Sequence, residues 1–138
     1  MCIRDSNKSL AEAAQMAGVE TSLDYATFQN YGYMGLYGGL KAADIKVRKG
    51  LKKSQNILDH MGSTELAANL FRATQTDEKL RRDNVQGKAA ANQVHYQVGA
   101  KVRQTIKDLG GTMPEDLPTP EKSIKQLERE QEKKKLKE

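Results

Sequence analysis

Between residues 91 and 109 the apolar side chains Ala91, Val94, Val98, Val102, Ile106 and Leu109 recur at steps of three and four. Gln93, Gln97, Lys101, Gln104 and Asp108 occupy the opposite side. This period predicts an amphipathic helix as the central core element, ended by Gly110 and Gly111. Upstream, "NKSLAEAAQMAG" predicts the end of a helix stopped at Gly18, and Thr21 or Ser22 caps a second helix over "LDYATFQNYGYMGLYGG". Leu23, Phe28, Tyr31 and Leu36 share a stripe of that helix before Gly38 and Gly39 end it. "LKAADIKVRKGLKK" predicts a short basic helix terminated by Gly50, and "SQNILDHMG" another, capped by Ser54, with Ile57, Leu58 and Met61 inward. Ser63 then caps a helix running to about Arg82, with Leu66, Leu70, Phe71 and Leu80 as its buried side and Glu65 in its first turn.

After the turn-like "DNVQG" and the central helix comes "TMPEDLPTP", which holds all three prolines and predicts an extended connector. Thr119 and Pro120 are placed to open a last segment, "EKSIKQLEREQEKKKLKE", in which Ile124 and Leu127 are almost the only residues to bury. Nowhere does period-two alternation last for the length of a strand. The expected fold is therefore all-α: a compact bundle of short helices with a charged carboxy-terminal helix or tail. The expected division is a helical domain over 7–113, a connector over 114–120 and the charged segment over 121–138. The opening "MCIRDS" resembles the junk start that adapter read-through leaves, so residues 1–6 are expected to be a sequencing artefact.

Composition narrows the class. In 138 residues there is room for one domain, and no stretch approaches the roughly 20 apolar residues of a membrane helix, so a cytoplasmic protein without membrane contact is expected. Cys2 is the only cysteine, which excludes a disulfide framework and a cysteine-based zinc site. Catalytic patterns are missing as well. His60 and His95 lie far apart, with no Gly-x-Ser-x-Gly turn and no HExxH pair. His95 is expected to be a packed, hydrogen-bonded core histidine. The expectation is no enzyme, no metal and no cofactor.

The decapeptide "YGYMGLYGGL" admits three readings: a phosphate loop, a stacking platform for bases, or close helix packing. The first lacks the Gly-Lys-Ser/Thr of a phosphate loop and the preceding strand of a dinucleotide fingerprint. Gly32, Gly35 and Gly39 instead clear one side of a helix for a neighbouring backbone, and packing is the preferred answer, with stacking behind it.

Charge is unevenly distributed. Residues 41–109 hold fourteen Lys and Arg against seven Asp and Glu, so the helical body carries +7 and the remainder −2, for a net +5. Two clusters stand out: Lys46, Arg48, Lys49, Lys52 and Lys53 in "KVRKGLKK", and Lys79, Arg81 and Arg82 in "KLRR". Such clusters suit phosphate neutralisation with counterion release, and these eight residues are the candidate nucleic-acid or partner-binding site. "SQNILDHMGSTELAANLF" could pass for a helix-turn-helix, but a reading helix offering Thr64, Glu65 and Asn69, with one arginine at Arg72, is poorly equipped for a major groove. A plain helical hairpin is preferred.

"HMGSTELAANLFRATQTDEKLRRD", "VGAKVRQTIKDLGGTMPEDLPTPEKSIKQLE" and "FQNYGYMGLYGGL" together resemble the carboxy-terminal half of the bacterial DNA-damage-inducible protein D family, DinD, from about Asn7 to Gln131. The resemblance implies a non-enzymatic protein of the SOS response to DNA damage that modulates the RecA recombinase filament on single-stranded DNA. RecA filaments and single-stranded DNA are then the expected partners, with oligomeric state left open. The family's other half is similar to the Bro-N domain of phage antirepressors, which implies an alternative: a DNA-binding or antirepressor-like regulatory module whose Bro-N half is missing here. No catalytic or metal motif is carried over.

Overall fold

In a computed structural model, residues 3–120 are described and form helices α1 (Ile3–Met16), α2 (Ser22–Leu36), α3 (Ala42–Lys49), α4 (Ser63–Arg82) and α5 (Lys88–Asp108). Short 3-10 turns at Ile57–His60 and Pro114–Asp116 complete the fold, and no strand occurs among the described residues. The all-α expectation holds. The charged segment 121–138 and Cys2 lie outside the described residues. Helix α1 takes in Ile3 to Ser6, from the stretch expected to be an artefact, and Ser6 is buried.

Local chemistry explains most boundaries. Thr21 caps α2, its Oγ1 accepting from the Asp24 amide at 3.0 Å. The Lys41 amide donates to Asp44 Oδ2 at 3.0 Å to open α3, and Gly50, at φ +71°, closes it in the left-handed conformation. Two starts differ from expectation. "SQNILDHMG" makes only the 3-10 turn, because Asn56 rather than Ser54 supplies the cap, accepting from the Leu58 amide. Helix α4 is led by Gly62, with Ser63 as its first helical residue.

Helix α2 packs most extensively on α5, α1 on α4, and α4 on α5. The α2–α5 crossing is close because glycines line both sides of it. A Cβ on Gly35 would sit 2.3 Å from the Tyr96 carbonyl oxygen, and one on Gly99 would sit 2.6 Å from the Gly32 carbonyl oxygen. At Gly32 a Cβ would strike the His95 ring. The packing reading of the glycine decapeptide is therefore right for Gly32 and Gly35, whereas Gly39 meets nothing and serves a turn at φ +103°. Tyr33 and Tyr37 are buried, their rings edge-on at 71° and 6.1 Å apart, so neither offers a free face to a base.

This crossing also shifts the buried side of α5. Ala91, His95, Gly99 and Val102 are enclosed, Val94, Val98 and Ile106 are half-buried, and Leu109 is 82% exposed. A valine cannot stand where two backbones touch, so of the predicted ladder Ala91 and Val102 are enclosed while Val94, Val98 and Ile106 flank the contact line. The α2 stripe is corrected likewise: Phe28 and Leu36 are buried, Tyr31 is half-buried, and Leu23 in the first turn is exposed. Two apolar clusters result. One joins Leu10, Ala14, Val19, Phe28, Ala73 and Leu80; the other joins Tyr33, Leu36, Tyr37, Ile45, Met61 and Val102.

Overpacking the seam should be costly. Gly35→Leu is expected to destabilise the fold by about 1–3 kcal/mol or more, the lower range being usual for an inserted core side chain. Urea denaturation measures it, and a midpoint unchanged from the parent protein would show that the two helices can separate without loss.

Candidate nucleic-acid interface

Helix α3 ends in Lys46, Arg48 and Lys49, where cations complement the negative end of the helix dipole. The five cations of "KVRKGLKK" do not form one free surface. Lys52 and Lys53 are exposed beyond Gly50, and Lys46 Nζ donates to the Lys53 carbonyl at 2.9 Å. Arg48 points at the connector, donating through Nε to the Glu115 carbonyl and pairing with Asp116 Oδ1, both at 2.7 Å.

Lys49 turns inward. Its Nζ lies 2.7 Å from Glu65 Oε1, with the side chains only 7% and 1% exposed, and it also donates to the His60 carbonyl and Thr119 Oγ1. The expectation that Lys49 is a surface cation is corrected: a buried carboxylate on α4 needs a counter-charge, and α3 supplies it.

In the second cluster Arg81 and Arg82 are exposed and Lys79 is half-buried; all three pair with carboxylates of α4 or its C-cap, and Arg81 also donates to the Ser9 carbonyl at 3.2 Å. Arg81 meets Asp77 at 2.6 Å, Arg82 meets Glu78 at 2.9 Å and Asp83 at 3.2 Å, and Lys79 meets Asp83 at 3.4 Å. Such exposed pairs are screened by solvent, contribute little to stability and leave their charge within reach of a competing anion.

The interior holds a polar chain that the sequence reading turned outward. Glu65, Asn69, Arg72, Thr76 and Leu80 follow steps of four, three, four and four, which is a helical stripe, and all are buried. The expected apolar side is corrected accordingly: Leu66 and Leu70 are half-buried and Phe71 is 51% exposed. Tyr37 donates its hydroxyl to Glu65 Oε2, and Asn69 Nδ2 donates to that hydroxyl at 3.0 Å. Arg72 donates through Nη2 to Asn69 Oδ1 at 3.2 Å and through Nη1 to His95 Nε2, and its guanidinium stands 5.0 Å from the Tyr33 ring centre. His95 Nδ1–H donates to the Phe28 carbonyl at 2.8 Å.

Tyr37 and His95 respond to this setting. Burial, aided by the Glu65 charge, pushes the Tyr37 hydroxyl well up. Burial, and then the neighbouring Arg72 charge, holds the His95 imidazole well below its ordinary value. His95 is thus the packed, hydrogen-bonded histidine that was expected. The helix-turn-helix reading fails outright, because Glu65, Asn69 and Arg72 are interior.

Arg103 was not among the candidates. Its Nη1 pairs with Glu115 Oε2 at 2.7 Å and donates to the Leu36 carbonyl at 3.2 Å, and the hydrogen bond to Glu115 raises its pKa. Residues 114–120, expected to be an extended connector, lie along the body as a strap, with Glu115, Asp116 and Thr119 bonded to it. Among the described residues, no three His, Cys, Asp or Glu side chains gather as a metal site requires, and no helix is long and apolar enough to cross a membrane.

The pattern that defines the DinD C-terminal domain matches residues 2–127. The chain belongs to the DinD C-terminal domain family. It is similar to DNA damage-inducible protein D of Escherichia coli (strain K12), 69% identical over 126 residues, which cover 91% of this chain and 46% of that protein. The chain thus spans about half the length of the curated relative that it matches. No solved structure matches. The DinD match includes every described helix, so the polar chain and the glycine seam lie within the family's domain.

The two ends of the polar chain can be tested separately. Lys49→Met should strand Glu65 and cost about 3–5 kcal/mol, as removing one partner of a buried pair does, whereas Lys52→Met should stay within about 0.5 kcal/mol of the parent. Urea midpoints compare them; equal midpoints would place Lys49 in solvent.

At the other end, the unfolded chain takes up a proton at His95 near the ordinary imidazole pKa of 6.5, while the folded one resists it. The unfolded state therefore binds more protons just below pH 6.5, and stability present above that value is lost as pH falls toward the lowered folded value, by at most about 1.4 kcal/mol per pH unit. NMR titration should show the folded His95 ring neutral through pH 6.5; protonation at or above that pH would contradict this environment.

Proposed function

We propose that this chain is a non-enzymatic module of the DNA-damage (SOS) response that acts on the RecA recombinase filament assembled on single-stranded DNA. Membership of the DinD C-terminal domain family, with a relative named for its inducibility by DNA damage, supports the damage-response part. The observation that carries the filament part is the +7 surplus of residues 41–109, placed on a body whose buried Glu65, Asn69, Arg72 and His95 are hydrogen-bonded in a chain. Lys41, Lys52, Lys53, Lys101 and Lys107 are exposed, which suits approach to a polyanion such as a nucleoprotein filament. A cytoplasmic location follows from that role.

A second reading draws on the coverage of the relative. With under half of that protein's length present here, this domain would serve to support or dimerise a DNA-binding half in an antirepressor-like regulator. Purified chain added to preformed RecA filaments on single-stranded DNA separates the two. Loss of filament light scattering and of DNA-dependent ATPase is expected; filaments left intact at saturating chain would favour the regulatory reading.

A further inference from the structure

The strap from Pro114 to Thr119 is held to the body by polar clamps. Glu115 pairs with Arg103 on α5 at 2.7 Å, Asp116 pairs with Arg48 on α3 at 2.7 Å, and Thr119 Oγ1 accepts from Lys49 at 3.3 Å. Apolar burial contributes little, since Pro114 alone among residues 114–120 is fully enclosed. Beneath the strap a cavity of about 390 Å³ remains, lined on the body side by Tyr37, Leu40, Ile45, Arg48 and Lys49. Two consecutive carboxylates are thus seated on two guanidinium groups contributed by different helices, over a space that the strap does not fill.

Carboxylate and phosphate oxygens make the same charge-assisted contacts with arginine. We propose that Arg48 and Arg103 form a phosphate-binding site for a single nucleic-acid strand, that Glu115 and Asp116 occupy it as an internal competitor, and that the strand's phosphates displace the strap. The site lies beside the exposed Lys52 and Lys53, which extend the positive surface beyond α3. Lys49 stays with Glu65 in this exchange and gives up only its contact with Thr119. The inference rests on the reading of the basic body as a surface for a polyanion. It can nevertheless fail alone, because filament loss through protein contacts would survive the absence of bare-strand binding.

The test uses the full chain, a labelled single-stranded oligonucleotide and fluorescence anisotropy across a salt series. Glu115→Gln with Asp116→Asn removes both competitors while keeping their shapes. It should tighten binding at low salt about tenfold and steepen the salt dependence by about 1.4, which is two phosphate contacts at about 0.7 each. Glu78→Gln with Asp83→Asn raises net charge equally but frees Arg82 and Lys79 instead, and should change affinity by less than about threefold.

If the double variant unfolds, Asp116→Asn alone, whose pair with Arg48 is exposed, should still steepen the slope by about 0.7. Hydrogen exchange of the unmodified chain should quicken at residues 113–119 when the oligonucleotide binds. An equal gain in the Glu78/Asp83 variant would reduce the effect to net charge and overturn the proposal. So would unchanged affinity in the strap variants, or a gain toward poly-glutamate without one toward the oligonucleotide, which would identify an acidic polypeptide as the ligand.

Discussion

Burying the Arg72 guanidinium takes a cation out of water, and among the described residues no carboxylate lies within ion-pair distance of it. An isolated buried charge is among the most expensive features a fold can carry, and although the Arg72 Nε is left without a partner, the rest of the guanidinium needs polar neighbours held rigidly in place. Three helices supply them. Asn69 on α4 accepts one guanidinium N–H, His95 on α5 accepts another, and Tyr33 on α2 presents its ring face. The His95 tautomer is then fixed from behind by the Phe28 carbonyl, which takes the proton on Nδ1.

That arrangement depends on the glycine seam. His95 reaches Arg72 only because α2 passes so close to α5 that the ring occupies the space where a Cβ on Gly32 would stand. Glycine in a helix interior costs about 1 kcal/mol of propensity, and the α2–α5 crossing uses three of them. Apolar burial on both sides of the seam offsets this: Phe28 and Leu36 are fully enclosed, and the Phe28 and His95 rings meet tilted at 33° with centres 4.2 Å apart.

The same polar chain connects the core to the surface on which function is proposed. Glu65 draws Lys49 inward, Lys49 reaches Thr119, and the strap lies across Arg48 and Arg103. A surface rich in cations is thereby divided into those committed to the fold, those neutralised by a neighbour in sequence, and those still turned to solvent. In this DinD domain the division follows from which carboxylates are near in space.

From the sequence alone came the all-α class, the extent of most helices, the glycine packing and the buried character of His95, because periodicity, caps and breakers act over a few residues. The family was legible too, in segments distributed along the chain. The buried side of α4 was not, although its stripe from Glu65 to Leu80 has helical spacing, because rules that sort residues by polarity assign a Glu and an Arg to solvent. Nor was the fate of Lys49 or the role of Arg103, whose partners lie 16 and 12 residues away. Only the tertiary structure decides which of two equally charged lysines is interior, because a buried charge is tolerated solely where folding brings an opposite charge or a full set of hydrogen-bond partners within reach.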